Sequence, residues 1–331
     1  SKNNDSEAVF LVRKRLSRIF YQKKFFDYPI KLSFKTVSKL GYLNTTLILF
    51  SYLKSVIFPI KNEKSLEDFF INRFGVRLYK TFFKDYTEKV WGVSCSEISA
   101  EWGAQRIKGL SITKTILDIL QKPFRKKDIN QKNTETSLIE YFLYPKYGPG
   151  QLWTKVAEVV EEKGGILHKN AKVIQLNGTK ELTSALVETG KEKIQSTIIF
   201  DYCISTMPIK DLFNAFSFTI PSDIKYISDN LVYRDFITVG ILLDKTKIEL
   251  NDNWIYIQES YVKVGRIQVF NNWSPFLVKE SDTTWLGLEY FCNENDALWQ
   301  LEVDELIALA TEELIQLGFI DSQKNVLDAT V

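Results

Sequence analysis

Between Tyr86 and Gly109 the sequence reads YTEKVWGVSCSEISAEWGAQRIKG, a stretch too polar for a core and too aromatic for a linker. Trp91 offers a flat π face and Arg106 a planar guanidinium, side chains that can serve a site or simply pack. Ordinary packing is the competing reading, with Trp91 against Trp102 and Arg106 paired with Glu97 or Glu101. Elsewhere chemistry-bearing residues are sparse. His168 is the single histidine, so a Ser-His-Asp triad, a histidine metal cluster or a phosphohistidine relay would have to run through it. It lies in GGILHKNAKV, where alternation predicts a strand and a satisfied surface or edge histidine. Cys95, Cys203 and Cys292 stand far apart with no CxxC, which excludes a thiolate zinc site, fits a reducing compartment and reads as three small hydrophobes. No metal site is expected. Chemistry therefore falls to carboxylates, tyrosines, arginines or a bound cofactor.

The elements that must position such residues come from a chain of 331 residues, 45% apolar and 25% charged, enough to bury a sizeable core in two lobes. Lys plus Arg number 43 against 41 Asp plus Glu, which argues against nucleic acid as an obligate partner. A cytoplasmic location is expected. The opening SKNNDSEAVFLV has no basic n-region, cleavage site or initiator methionine, and reads as the middle of something longer. No run of about 18 apolar residues appears. The nearest, LNTTLILFSYLKSVIFPI from Leu43 to Ile60, reads as a buried helix, with peripheral contact with a bilayer as the alternative.

Three segments follow from the patterning. Residues 1–135 read as a helical cap and substrate region, in which Phe69, Phe70, Phe74, Leu78, Phe82 and Phe83 share a helix face and Ser65 with Asp68 forms a capping-box start. The basic run KPFRKKDINQKNTETS, Lys122 to Ser137, ends it as a solvated loop. Residues 136–212 hold a Gly/Pro turn, an amphipathic helix, a strand, a hairpin and the short apolar strand of DYCISTMP, in the order of the second half of a nucleotide-binding α/β domain. Its first half, with a GxGxxG turn, has no counterpart in the sequence. Residues 213–331 are strand-rich and predict a mixed or antiparallel sheet, followed by a helix over VDELIALATEELIQLGF.

Taken together, YTEKVWGVSCSEISAEWGAQRIKG, YPKYGPGQLWTKVAEVVEEKGGILHKNAKV, DYCISTMP and VGRIQVFNNWSP resemble bacterial FAD-dependent oxidoreductases of the amine-oxidase and protoporphyrinogen-oxidase superfamily, on the branch that is similar to UDP-galactopyranose mutase. The resemblance covers nearly the whole chain in order. It implies an α/β (α+β) flavoprotein with a partial FAD-binding Rossmann-like domain, a mixed-sheet substrate domain and a helical cap. It also implies that the chain lacks both the N-terminal glycine turn and a C-terminal flavin segment, as a fragment would, and would bind FAD weakly or not at all by itself.

What the resemblance implies for single residues is specific. Trp91 would be a stacking platform over a sugar-nucleotide pocket, and Arg106 and Arg266 phosphate clamps. Alternation in KVGRIQVF puts Ile267 and Val269 on one face and Arg266 and Gln268 on the other, the pocket side if the apolar set packs inward; a surface arginine is the competing reading. Asn271 and Asn272 would line the flavin or substrate edge. Tyr144, Tyr147, Gly148 and Gly150 would approach the substrate side of the flavin, where glycine lets backbone come close. Val173 would lie against the adenine, and Ser205, Thr206 and Pro208 would pass near the dinucleotide.

Three functions follow: a FAD-dependent oxidoreductase acting on a sugar-linked or lipid-linked small molecule, a flavin-dependent UDP-sugar mutase, and a cofactor-free binding module. No catalytic residue is assigned.

Overall fold

A seven-stranded mixed sheet takes its strands from both ends of the chain, in the computed structural model that describes residues 7–30, 33–106, 139–179, 181–244 and 246–331. The sequence reading expects helix at the start, yet the first elements are strands: β1 (Phe10–Lys14), β2 (Ser17–Tyr21) and β3 (Lys24–Asp27). The physical reason is long-range pairing. β2 runs parallel to β9 (Trp254–Ile257), with Ser17 opposite Trp254 and Ile19 opposite Tyr256, a partnership more than 230 residues distant that no local signal carries. The sheet order is β12-β8-β11-β10-β9-β2-β3, with β8 at Asp235–Leu243, β10 at Arg266–Val269, β11 at Thr284–Cys292 and β12 at Val326–Thr330.

Alternation gives this sheet two unlike faces. Val239, Ile241, Ile255, Ile267, Leu286 and Leu288 point to one face and are fully buried under Leu306, Ala310, Leu314 and Leu317 of the helix Val303–Leu317. Each such side chain contributes roughly 1.5 to 3 kcal/mol by leaving water. At the β2–β3 edge the opposite face meets a second core, where Ile19 and Phe26 pack with Leu66, Phe69, Phe70, Phe74, Leu78 and Phe82 of α3 (Leu66–Phe82). The expected Ser65–Asp68 capping box is present at the start of α3. α3 bends at Gly75 (φ 77°), where a Cβ would lie 2.7 Å from the backbone nitrogen of Tyr52. That close approach seats α2 (Tyr42–Ile57), which follows α1 (Phe34–Leu40). The buried helix expected over Leu43 to Ile60 is thus a helix, but one packed on one side only: Leu43, Phe50 and Ile57 are exposed. α4 (Lys84–Trp91) and α5 (Ala100–Arg106) follow. The basic run of Lys122 to Ser137 and its expected loop lie outside the described residues.

The chain forms two compact units, residues 1–152 with 234–331, and residues 153–233. This differs from the three consecutive segments read from the sequence, because the strands before residue 30 join the sheet built after residue 234. In the second unit β5 (Ala171–Gly178), β6 (Leu182–Thr189) and β7 (Ile194–Ile199) form an antiparallel sheet around Leu176, Ala185, Val187 and Ala215. Its helices include α6 (Pro149–Glu162), along which the chain enters, α7 (Ile209–Asn214) and α8 (Ser222–Asp229). The strand expected in DYCISTMP is an unpaired stretch among the described residues, with Tyr202 and Ile204 more than 90% exposed. Its apolar alternation has no described neighbouring strand to pair with. His168 is an exposed residue just before β5 rather than within a strand.

Candidate functional site

The polar face of the large sheet carries a row of side chains that the apolar face lacks. Arg266 on β10 stands between Tyr256 on β9 and Glu289 on β11, and Gln268 stands between Trp254 and Gly287. Arg266 donates through Nε to Glu289 Oε2 at 2.6 Å, with Nη2 in ion-pair contact with the same oxygen at 2.5 Å, while Gln268 Nε2 donates to Glu289 Oε1 at 2.5 Å. Glu289 is almost fully buried, so its charge is held by these two neighbours rather than by water. Burial acts to lower the pKa of Arg266, and the adjacent Glu289 carboxylate outweighs it and raises it. Nη1 of Arg266 has no described partner. Trp254, Arg266, Gln268 and Trp273 enclose a cavity of about 220 Å³.

Aromatic rings wall this cavity. Trp273, at the end of the single helical turn Phe270–Trp273, stacks on Trp254 with ring centres 5.3 Å apart and planes 15° apart. Tyr144 and Phe142 of β4 (Tyr141–Pro145) also pack on Trp273, at 5.2 and 5.0 Å. Beyond Trp254, Tyr256 meets Tyr28 at 4.8 Å and Tyr86 edge-on at 5.1 Å. Burial pushes the phenols of Tyr28, Tyr86 and Tyr256 upward, so all three are neutral hydrogen-bond donors at neutral pH. Tyr86 reaches the sheet because Lys89, one helical turn later on α4, is anchored beside it, donating to the carbonyls of Glu259 at 2.6 Å and Val264 at 3.2 Å. Desolvation lowers the Lys89 pKa to about 8.

Of the residues singled out in the sequence, Arg266 and Tyr144 are brought to this ring cluster, and Ile267 and Val269 point away into the core as alternation requires. Trp91 is held edge-on by Trp102, centres 5.0 Å apart, which is the packing alternative raised for it. Arg106 closes α5, and its side chain lies outside the described residues. Asn271 braces a loop, donating to the carbonyl of Thr283 and accepting from Trp285 N. Asn272 donates to the carbonyls of Leu250 and Asp252, and its own carbonyl accepts from Arg13, so its polar groups knit backbone together. It borders a second cavity of about 510 Å³ with Arg13, Lys14, Tyr141, Asn251 and Asn253. Tyr147 packs on Phe276 beside the Lys146 ammonium, and Gly148 (φ 91°) makes the turn into α6, with Gly150 in open space. Val173 packs partly buried within the β5–β6–β7 sheet, while Ser205, Thr206 and Pro208 lie on the exposed stretch before α7.

Sequence reasoning passed over Trp254, Tyr256, Tyr86, Tyr28 and Glu289. Signals for three of them existed. Alternation in WIYIQE sets Trp254 and Tyr256 on the face opposite Ile255 and Ile257, and a lone carboxylate in the apolar run TTWLGLEYF marks Glu289 as needing a cationic partner.

The architecture is a mixed α/β fold, the class expected from the sequence, and it is shared with the solved structures below. No protein-family model matches the chain. Among solved structures it is similar to reduced UDP-galactopyranose mutase, with a TM-score of 0.77 at 18% identity over 97% of this chain and 66% of that one. A putative protoporphyrinogen oxidase from Exiguobacterium sp. matches with a TM-score of 0.65 at 11% identity, over 98% of this chain and 68% of that one. Putrescine oxidase matches with a TM-score of 0.56 at 12% identity, over 98% and 68%. The chain therefore spans about two thirds of the length of the structures it matches.

Proposed function

We propose that this chain forms the substrate-binding part, and a portion of the cofactor-binding part, of a FAD-dependent enzyme acting on a sugar-nucleotide. The observation that carries the reading is the cavity where Arg266 meets the stacked rings of Trp254 and Trp273. A base or sugar ring needs a flat π face and a diphosphate needs a guanidinium, and Nη1 of Arg266 is available for the second task. The buried Glu289 orients that guanidinium, and the neutral phenols of Tyr28, Tyr86 and Tyr256 supply donors without adding repulsive charge.

For the cofactor the residues present fit in part. Val173 on edge strand β5 and the exposed turn Ser205, Thr206 and Pro208 could form one side of a dinucleotide site. A glycine-rich turn that receives a pyrophosphate at a helix N-terminus is not among the 331 residues, so it would come from polypeptide outside them. Bound flavin would supply either hydride acceptance, as in an oxidoreductase, or a redox-neutral route, as in a mutase. The higher similarity to the mutase fold, together with Arg266, supports the mutase reading; the oxidoreductase reading rests on the wider superfamily.

The test is a titration of the purified protein, expressed with its flanking coding sequence, with UDP and a UDP-sugar, read by flavin absorbance and by tryptophan fluorescence. A UDP-dependent change in both is expected. A flavin band indifferent to UDP would leave an oxidoreductase of another substrate, and no flavin band would remove both enzymatic readings.

A further inference from the structure

The helix α2 keeps most of its large apolar side chains away from the protein. In a helix that packs on a water-facing protein, the apolar stripe turns inward. Here the inward face carries Thr45, Ser51 and Ser55: Ser51 Oγ accepts from the backbone nitrogen of Arg77, Thr45 Oγ1 donates to the carbonyl of Gly41, and Ser55 is buried. The absent Cβ of Gly75 lets the α2 backbone at Ser51 and Tyr52 approach closely, which is how α2 is held against α3. Ile48 packs on the second core, and most of the other large apolar residues are left outside. Leu43 is 75% exposed, Phe50 64% and Phe58 73%, and Leu49, Leu53 and Ile57 complete a stripe at three- and four-residue spacing along one side.

Charge decides what this stripe faces. From Asp27 to Glu63 the chain has no intervening Asp or Glu, while it carries Lys31, Lys35, Lys39, Lys54 and Lys61. Lys35, Lys54 and Lys61 are exposed and pair with no carboxylate among the described residues. An apolar stripe whose own segment carries cations and no carboxylate, with Tyr42 at one end, complements an anionic lipid surface, in which rings and aliphatic chains enter the acyl boundary and ammonium groups meet phosphates. A protein partner or a second copy would gain nothing from the missing carboxylates unless it too were acidic. α2 spans 16 residues, about 24 Å, which is short of the roughly 30 Å hydrocarbon core, and α1 meets it at 107°. No single helix among the described residues is long and apolar enough to cross a membrane. The geometry is that of a helix lying in the interface.

We propose that the outer face of α2, flanked by Lys35, Lys54 and Lys61, docks on the surface of an anionic phospholipid bilayer. The proposal is independent of which reaction the cavity around Arg266 carries out.

The test is co-flotation of the full-length protein with vesicles of phosphatidylcholine alone or mixed equally with phosphatidylglycerol. Binding is expected on the mixed vesicles, weaker by about tenfold or more on the neutral ones and in high salt. The pair Leu49→Asn and Phe50→Asn should abolish binding, and the pair Lys35→Glu and Lys54→Glu should weaken it about tenfold or more. Because all four positions face solvent, unchanged circular dichroism and unfolding temperature serve as the folding control. Absence of binding on both vesicle types, or binding that survives both pairs of substitutions, would overturn the proposal. So would a doubling of mass in solution that the Phe50→Asn variant abolishes, which would assign the face to a second copy.

Discussion

Arg266 and Glu289 lie directly opposite each other on β10 and β11, and the guanidinium covers a carboxylate that water barely reaches. A buried carboxylate of this kind is tolerable only while its cation stays in place. The pair therefore ties the cavity lined by Trp254, Arg266, Gln268 and Trp273 to the stability of the sheet that carries them.

Arg266→Ala should destabilise the protein by about 2 to 4 kcal/mol, below the cost of a fully buried pair because a third of the Arg266 side chain reaches solvent. The double variant Arg266→Met with Glu289→Met should recover most of that loss, since no charge is then stranded. Chemical denaturation of the single and double variants measures both. Equal losses in the two would show that Glu289 is not dependent on Arg266.

Trp273→Leu removes the ring that packs on both Trp254 and Tyr144. Under the proposed function it should weaken UDP binding by about 1 to 2 kcal/mol, roughly tenfold, as read by isothermal titration. Trp91→Leu, whose ring is packed on Trp102, should leave UDP affinity within about twofold.

Lys89 gives the stability a distinctive pH dependence. Its pKa falls from 10.5 to about 8 on folding, because burial penalises the ammonium. Below pH 8 both states carry the proton and the folded state bears the full desolvation cost. Above it the folded state releases the proton while the unfolded chain keeps it up to about pH 10.5, so stability should rise across this window by on the order of 3 kcal/mol. Urea melts at pH 7.5 and 9.5 measure the slope, and Lys89→Met should flatten it.

Gly75→Ala should cost about 3 kcal/mol or more, because a Cβ would meet the α2 backbone at 2.7 Å and φ is 77°. Gly190→Ala shares the positive φ, 74°, with nothing within 4 Å, and should cost only about 1 kcal/mol. Unfolding temperatures of the two variants separate the steric part from the backbone part.

Local signals by themselves determined much of this protein. The capping box at Ser65, the alternation that sends Ile267 inward and Arg266 outward, and the helix over Val303–Leu317 are each settled by neighbours within a few residues, which is the range over which periodicity and caps act. Their motifs in order also sufficed to indicate the fold class. Only the tertiary structure decided which residues meet. β2 enters the sheet beside β9, Glu289 becomes the partner of Arg266, and Tyr28, Tyr86 and Tyr256 converge from three distant segments. It also left most of the apolar run of α2 on the surface, since the same run suits a core or a surface, and the close approach of its backbone to Gly75 fixes which side packs. Pairing across hundreds of residues is set by the total burial that the whole chain achieves, and no window of sequence holds that sum.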